Sequence, residues 1–446
     1  MNPSIIRFTS ELDHPDSEVF DFLMKPAVVE RLIPPWQKVR ITSKTPSQTG
    51  CRLVMQVKIG PFWVNWITEH QSSEEEKCLT AIQVKGPFPV WKHISRIVSI
   101  DGGRSRLEEE IHFLSPFWMK RSWVEKRVRK MLKYRHETIA HDHAVYQRYP
   151  SPPLRILISG SHGFIGSALL PFLKNGGHEV VSLVRKKGEG VFWNPKSEEH
   201  DPSDFEGFDV VIHLAGKNLA SGLWTKAFKR QVFQSRCRDS WFLSQILSRT
   251  VRSPSTLISA SAIGIYGNRG EETLSEKSLP GEGFLANLCE QWERSFSSLE
   301  GKKTRLVHTR FGIVLSPGGG MLARLLPSLR LGLGAVLGSG KQWVSWIALD
   351  DLIYGLYALV TEKGAEGPFN LTAPHPERAK DFTRKLAKGL GRPCWLRIGE
   401  SPLHFAFGAM ADEMLLSSAK ALPEKLIGLG FRFHYPKMKD FMDHSL

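Results

Sequence analysis

Residues 157–168 read Leu-Ile-Ser-Gly-Ser-His-Gly-Phe-Ile-Gly-Ser-Ala, and no other stretch limits the fold so strongly. The apolar run from Leu154 to Ile158 has the character of a buried parallel strand. It runs through Gly160-x-x-Gly163-x-x-Gly166 into a segment with Ile165, Ala168, Leu169, Phe172 and Leu173 at helical spacing. Gly176-Gly177 stands where that helix should stop. Three glycines alone would be a weak signal. Between a strand and a helix they aim free N–H groups and the positive helix end at a pyrophosphate, which side chains would otherwise block.

The next strand, Glu179 to Val184, runs into Arg185-Lys186-Lys187. An acidic residue here would bind a free ribose 2′-hydroxyl and repel a 2′-phosphate, whereas arginine offers a planar fork to the phosphate. The expected cofactor is therefore NADP(H) rather than NAD(H).

At 446 residues, more than one domain is expected. Residues 1–149 differ in texture from the rest. Ile5–Leu12 reads as a strand, and Asp16–Arg31 as a helix. Alternating strands follow, with Leu53, Met55, Val57 and Ile59 on one face, and a helix over about 117–146 closes the unit. A curved antiparallel sheet around that helix is implied, with Phe62, Trp63, Trp66, Phe88 and Trp91 available to core or cavity. Pro150-Ser151-Pro152-Pro153 reads as a linker. Strand–helix alternation over 154–375 predicts a doubly wound parallel sheet, with strands at 155–159, 179–184, 191–193, 209–214, 256–261, 305–314 and near 369–371. Residues 376–446 would form a smaller substrate lobe.

The five cysteines lie far apart in no metal or disulfide spacing, so a reducing cytoplasm is expected and no metal. No apolar run approaches the roughly 20 residues of a membrane span. The net charge of +15 concentrates in Met119–His136, with eight Lys or Arg (Lys120, Arg121, Lys126, Arg127, Arg129, Lys130, Lys133, Arg135) against Glu125 alone. Two readings stay open for that helix: the solvated outer face of a packed element, or a surface for an acidic partner or lipid. Nucleic acid is not expected as a partner.

Strand ends carry further motifs: His213-Leu214-Ala215-Gly216, Ser259-Ala260-Ser261-Ala262 with Tyr266-Gly267, and Arg310-Phe311-Gly312-Ile313. With the glycine loop, these resemble the extended short-chain dehydrogenase/reductase fold of nucleotide-sugar epimerases. The resemblance tightens at Trp224, Ser235-Arg236, Gly318-Gly319-Gly320, Gly338-Ser339-Gly340-Lys341-Gln342-Trp343, Leu422-Pro423-Glu424-Lys425-Leu426 and Gly430-Phe431. Together these resemble the atypical "epimerase family" subgroup with its own C-terminal segment. Leu223 departs from the arginine usual in that subgroup. Residues 1–149, most specifically Tyr134-Arg135-His136, resemble START-like (SRPBCC, polyketide-cyclase-like) helix-grip domains, which implies a hydrophobic ligand there.

The resemblance implies that Gly160, Gly163, Phe164, Ile165 and Gly166 hold the pyrophosphate, and that Val184 and Arg185 flank the adenosine ribose. Leu214, Ala215 and Gly216 would lie beside adenine and ribose, Arg236 would reach the cofactor, and Ile313 would border the nicotinamide. Ser261 takes the catalytic serine position. The usual Tyr-x-x-x-Lys, in which a lysine lowers the tyrosine pKa for proton transfer, is missing. Its place holds Phe284-Leu285-Ala286-Asn287-Leu288. Tyr435-Pro436-Lys437-Met438-Lys439 has the spacing but lies far past the sheet. Glu290 and Glu293 are candidate replacements, although a solvated helix face is the simpler expectation for both. Arg310 would pair with a substrate anion or with Asp350 or Asp351. The expected function is hydride transfer at a carbonyl or alcohol carbon of a small molecule. The alternative is a non-catalytic NADP(H) sensor.

Overall fold

The computed structural model describes residues 3–44 and 50–446. The chain divides into two compact units, Met1–Arg148 and Tyr149–Leu446.

The first unit is a seven-stranded antiparallel sheet. In spatial order its strands are Ser4–Leu12, Arg104–Leu114, Val90–Ile100, Cys78–Lys85, Phe62–Ser73, Cys51–Ile59 and Val39–Lys44. A 28-residue helix, Arg121–Arg148, packs on it through Val124, Val128, Leu132 and Ile139. One half of the helix meets Ile6, Val57, Trp66, Trp91, Ile111 and Phe113, and the other meets Leu12, Val19, Phe22 and Leu107. Trp66, Phe88 and Trp91 pack against one another, tilted or edge-on, with centroids 4.8–5.6 Å apart. Phe62 and Trp63 are exposed at a hairpin instead.

Two expected helices differ in extent. Asp16–Arg31 is broken into Asp16–Met24 and Val28–Leu32. Lys25 precedes Pro26 and takes extended backbone (ψ 140°), because the proline ring excludes the helical region from the residue before it. The long helix starts at Arg121, after Ser115-Pro116, and ends at Arg148.

Between the two apolar halves lies Glu109, fully buried. Its carboxylate faces Arg135 Nη2 at 3.0 Å, Ser95 Oγ at 3.0 Å, His93 Nε2 at 3.1 Å and His136 Nε2 at 3.3 Å.

The second unit has an eight-stranded sheet. Its spatial order is Glu199–His200, Val191–Asn194, Glu179–Val184, Arg155–Ser159, Val210–His213, Thr256–Ala262, Arg305–Phe311 and Gly367–Leu371. All pairs are parallel except the first, and helices on both faces bury the strands completely at Ile156–Ile158 and Val211–Ile212. The order reverses at Arg155–Ser159, which opens a crevice at its carboxyl end. The strand expected over 305–314 stops at Phe311. There the chain turns at Gly312, whose absent Cβ would stand 2.9 Å from the Ser345 carbonyl. Ile313–Ser316 then pairs with Trp346–Ala348 in a separate two-stranded sheet.

Burial alone would push the Glu109 carboxyl up, but the charges of Arg135 and His93 and the histidine hydrogen bonds outweigh it and hold it well below the usual 4.5. A carboxyl depressed on folding stabilises above its unfolded value, and that contribution is lost as pH falls. The urea midpoint of the first unit should therefore fall on acidification below about 4.5. Glu109→Gln should be less stable at neutral pH by about 1–3 kcal/mol and flatter in that acid range, as urea titrations at stepped pH will show.

Candidate functional site

Each glycine of the loop answers to a different neighbour. Gly160 has φ +72°, and a Cβ on it would lie 3.0 Å from the Leu214 carbonyl carbon and from the Ala215 nitrogen. Gly163 donates its N–H to the Gly160 carbonyl at 2.9 Å, which closes the turn. A Cβ on Gly166 would run into that same carbonyl oxygen and stand 2.8 Å from Ser161 Cα. The helix Gly166–Asn175 can therefore start against the strand only without a side chain. The Phe164 ring packs against Gly319 and Gly320, where any side chain would overlap it.

The neighbouring strand end is locked by a buried polar chain. Ser159 Oγ accepts the N–H groups of Leu214 (3.1 Å) and Ala215 (3.2 Å) and lies 2.8 Å from His213 Nδ1. His213 Nε2 lies 3.0 Å from Ser240 Oγ. Burial, with a smaller contribution from Arg185, pushes His213 down to about 4, so it is a neutral structural link at pH 7.

From the loop opens a cavity of about 1190 Å³. Gly160, Ser161, His162 and Gly163 form one side, and Ala215 and Gly216 form the floor. The far rim is basic: Arg185, Lys186, Lys187, Lys196 and Arg238. Arg185 Nη2 contacts Asp239 Oδ2 at 3.3 Å. Burial raises the Asp239 carboxyl even though Arg185, Arg238 and Lys196 pull the other way. A single π-helical turn, Gln234–Arg238, presents Gln234, Ser235 and Arg238 to the cavity, and Asp239 follows at the start of the next helix. Arg236 points inward behind Gly216. It donates to the Lys217 carbonyl at 2.8 Å, lies over Trp292 and is 9% exposed.

At the ends of the next strands a second cluster forms. The Ser261 hydroxyl donates to Glu293 Oε1 at 2.7 Å. Arg310 grips the same carboxylate with both arms, Nε to Oε1 at 2.9 Å and Nη2 to Oε2 at 2.8 Å. Its other nitrogen donates to Tyr266 Oη at 3.0 Å, and Tyr266 donates to Asn370 Oδ1 at 2.7 Å. Burial pushes the Glu293 carboxyl up, but Arg310 more than offsets this and holds it below the usual range. Ser261 directs its proton at Glu293, is 2% exposed and is not on the cavity wall. The helix Phe284–Arg294 carries Glu293, and its first turn is capped by Glu413, whose Oε2 accepts from the Leu285 N–H at 2.6 Å.

The sequence and the fold are similar to those of known proteins. The sequence matches the NAD dependent epimerase/dehydratase family over residues 156–372, and a domain of unknown function (DUF1731) over 400–445. An epimerase family protein of Mycobacterium bovis is 40% identical over 293 residues, 65% of this chain and 97% of that protein. The chain belongs to the epimerase family. A Bacillus subtilis epimerase family protein is 34% identical over 293 residues, covering 64% of this chain and 96% of that protein. Among solved structures, a nucleoside-diphosphate sugar epimerase from Corynebacterium glutamicum superposes with a TM-score of 0.82 at 27% identity. It covers 99% of this chain and 90% of that one. The human epimerase family protein SDR39U1, solved with NADPH, gives a TM-score of 0.61 at 29% identity over 65% of this chain and 98% of its own.

In this epimerase-family chain the cavity brings together Gly160, Gly163, Val184, Arg185, Ala215 and Gly216. Phe164, Ile165, Gly166, Leu214, Arg236 and Ile313 are not on its wall. Gly166 and Arg236 stand directly behind the wall, Phe164 packs on the triple glycine, and Ile313 hydrogen-bonds to the Ser345 carbonyl at 2.9 Å. Glu290 pairs with Arg294 on the exposed helix face, whereas Glu293 is turned inward. Arg310 takes Glu293 rather than Asp350 or Asp351, because Asp351 instead accepts the N–H groups of His434 and Tyr435. Tyr435 sits in the C-terminal core with Trp346, Met438 and Phe441. Lys196, Arg238 and Asp239 escaped sequence reasoning. Only their nearness to Ser235-Arg236 and to the third strand signalled them.

Gly166→Ala should destabilise the epimerase unit by about 1–3 kcal/mol, because backbone must move. Calorimetric melting should show that unit's transition fall by several degrees. An unchanged transition would mean the close approach is absent.

Proposed function

We propose that the epimerase unit binds NADP(H) in the cavity beside the glycine loop and works on an alcohol or carbonyl carbon of a small molecule. The observation that carries this reading is the basic rim at the end of Glu179–Val184, with Arg185 backed by Lys196 and Arg238 where the adenosine ribose would lie. Gly160, Gly163 and the helix beginning at Gly166 would hold the pyrophosphate, and their missing side chains let the loop, strand end and helix pack backbone to backbone there. Ala215 and Gly216 would lie along adenine and ribose, and Arg236 would steady Lys217 from behind. NADPH in the solved human relative supports the same nucleotide here. When bound, the cofactor supplies or accepts the hydride. Ser261 would hold the reacting oxygen, with Glu293, fixed by Arg310, as the acceptor of its proton.

The missing tyrosine and lysine support a second reading, in which the unit senses NADP(H) without turnover. Loss of NADPH absorbance with a carbonyl panel separates the two, and activity that survives Ser261→Ala would remove the role given to that hydroxyl. For the first unit, seven antiparallel strands around a 28-residue helix support a START-like domain that takes an apolar ligand. Native mass spectrometry of the whole chain would show such a ligand.

Calorimetric titration tests the nucleotide. Arg185→Asp should weaken NADPH by roughly 30-fold or more and NADH by no more than about threefold, because a charge-assisted fork becomes a repulsion. Asp239→Asn should tighten NADPH, since the 2′-phosphate no longer competes with that carboxylate for Arg185. NADH bound as tightly as NADPH by the unaltered protein would refute the assignment.

A further inference from the structure

The first unit gathers its unburied aromatics at one end. Strand register places three connections together there: Ile59 opposite Phe62, Lys85 leading through Pro87 and Pro89 to Val90, and Val90 opposite Leu114, from which the chain enters the long helix. Val39 opposite Val57 brings the start of the outermost strand to the same end. Ile59, Phe88, Met119 and Val124 share one apolar cluster, which fixes the grouping physically.

At these turns stand side chains that the fold leaves in water. Phe117 is fully exposed, Phe62 71%, Trp118 55% and Trp123 45%. Apolar groups of this size are ordinarily buried, and several at one place mark a surface that meets something. The charge around them is of one sign. Across residues 36–40, 57–63, 84–92 and 113–127 there is a single acid, Glu125, and it is ion-paired with Arg121 at 2.8 Å. Lys38, Lys58, Lys85, Lys120 and Lys126 are exposed there. Arg127 lies 4.2 Å from the Trp123 ring centroid and Arg40 4.1 Å from that of Trp63, so each guanidinium accompanies a protruding ring.

We propose that this end of the first unit docks on an anionic lipid bilayer surface, with Phe62, Phe117, Trp118 and Trp123 entering the interface and the lysines meeting lipid phosphates. Exposed Trp and Phe within a basic field match what a headgroup layer accepts, apolar rings at the acyl boundary and cations above. Phe62 stands at one connection, Phe117 and Trp118 at another, and Trp123 in the first turn of the long helix, so the rings come from separate elements. A single nucleic-acid strand would call for a platform along one groove. The surface belongs to the first unit and does not depend on the nucleotide assignment of the second.

Co-sedimentation of the whole chain with vesicles tests this. The protein should pellet with phosphatidylcholine vesicles containing roughly a third phosphatidylglycerol and not with pure phosphatidylcholine, and binding should weaken as salt rises. Phe117→Ser combined with Trp118→Ser, both on the surface, should cut the affinity roughly tenfold or more. Lys120→Glu combined with Lys126→Glu should do the same, with the melting curves of both variants unchanged. No binding to the anionic vesicles would overturn the proposal, as would equal binding by both variants. Binding of a short RNA through these residues without vesicle binding would overturn it too.

Discussion

Everything in the second unit is built around one close approach of backbone to backbone. Gly160 is pressed between the end of the neighbouring strand at Leu214–Ala215 and the first turn of the helix at Gly166, and neither side leaves room for a methyl group. The contact sets the angle at which the helix leaves the sheet, and so where its positive end points. Ser159, His213 and Ser240 fix the other wall, since Ser159 Oγ accepts the N–H groups of both Leu214 and Ala215 at the strand end. The cavity is what remains between two rigid surfaces.

Charge is handled differently in its two neighbourhoods. At the cavity rim the cations outnumber the acids, and Arg185 leans on Asp239, a carboxylate that burial renders less willing to ionise. That contact is loose and replaceable. Around Ser261 the balance is tight: Glu293 is held by two arms of Arg310, and a third nitrogen of the same guanidinium reaches Tyr266. A buried pair of this kind adds little net stability, but losing either member is costly. Its effect is to hold the Ser261 hydroxyl in one orientation.

Much of the fold was legible from pattern alone. The strand Arg155–Ser159 lies in its apolar run, because a strand buried on both faces leaves an unbroken hydrophobic signature, and Glu179–Val184, only partly buried, was legible from its run of valines and leucine. The helix over Asp16–Arg31 was read too long although Pro26 was in view, since periodicity outweighed a local backbone rule. Arg185 was legible because it follows a strand directly. Glu293 was not, because on a helix with Glu290 nearby nothing in one dimension says which carboxylate faces inward.

The sequence by itself determined the order of strands and helices, the place of the phosphate loop and the absence of a phenol–amine pair where short-chain reductases keep one. Those features are local: a glycine either permits a conformation or does not, and a missing residue type is missing whatever the fold. Only the tertiary structure decided that Arg310 and Glu293 pair, that Arg238 and Asp239 join Arg185, and that exposed aromatics of two connections and the long helix share one end of a sheet. Such pairings join residues tens to hundreds of positions apart. Their energy depends on burial and on a few ångströms of geometry, and neither is written in the chain until it folds.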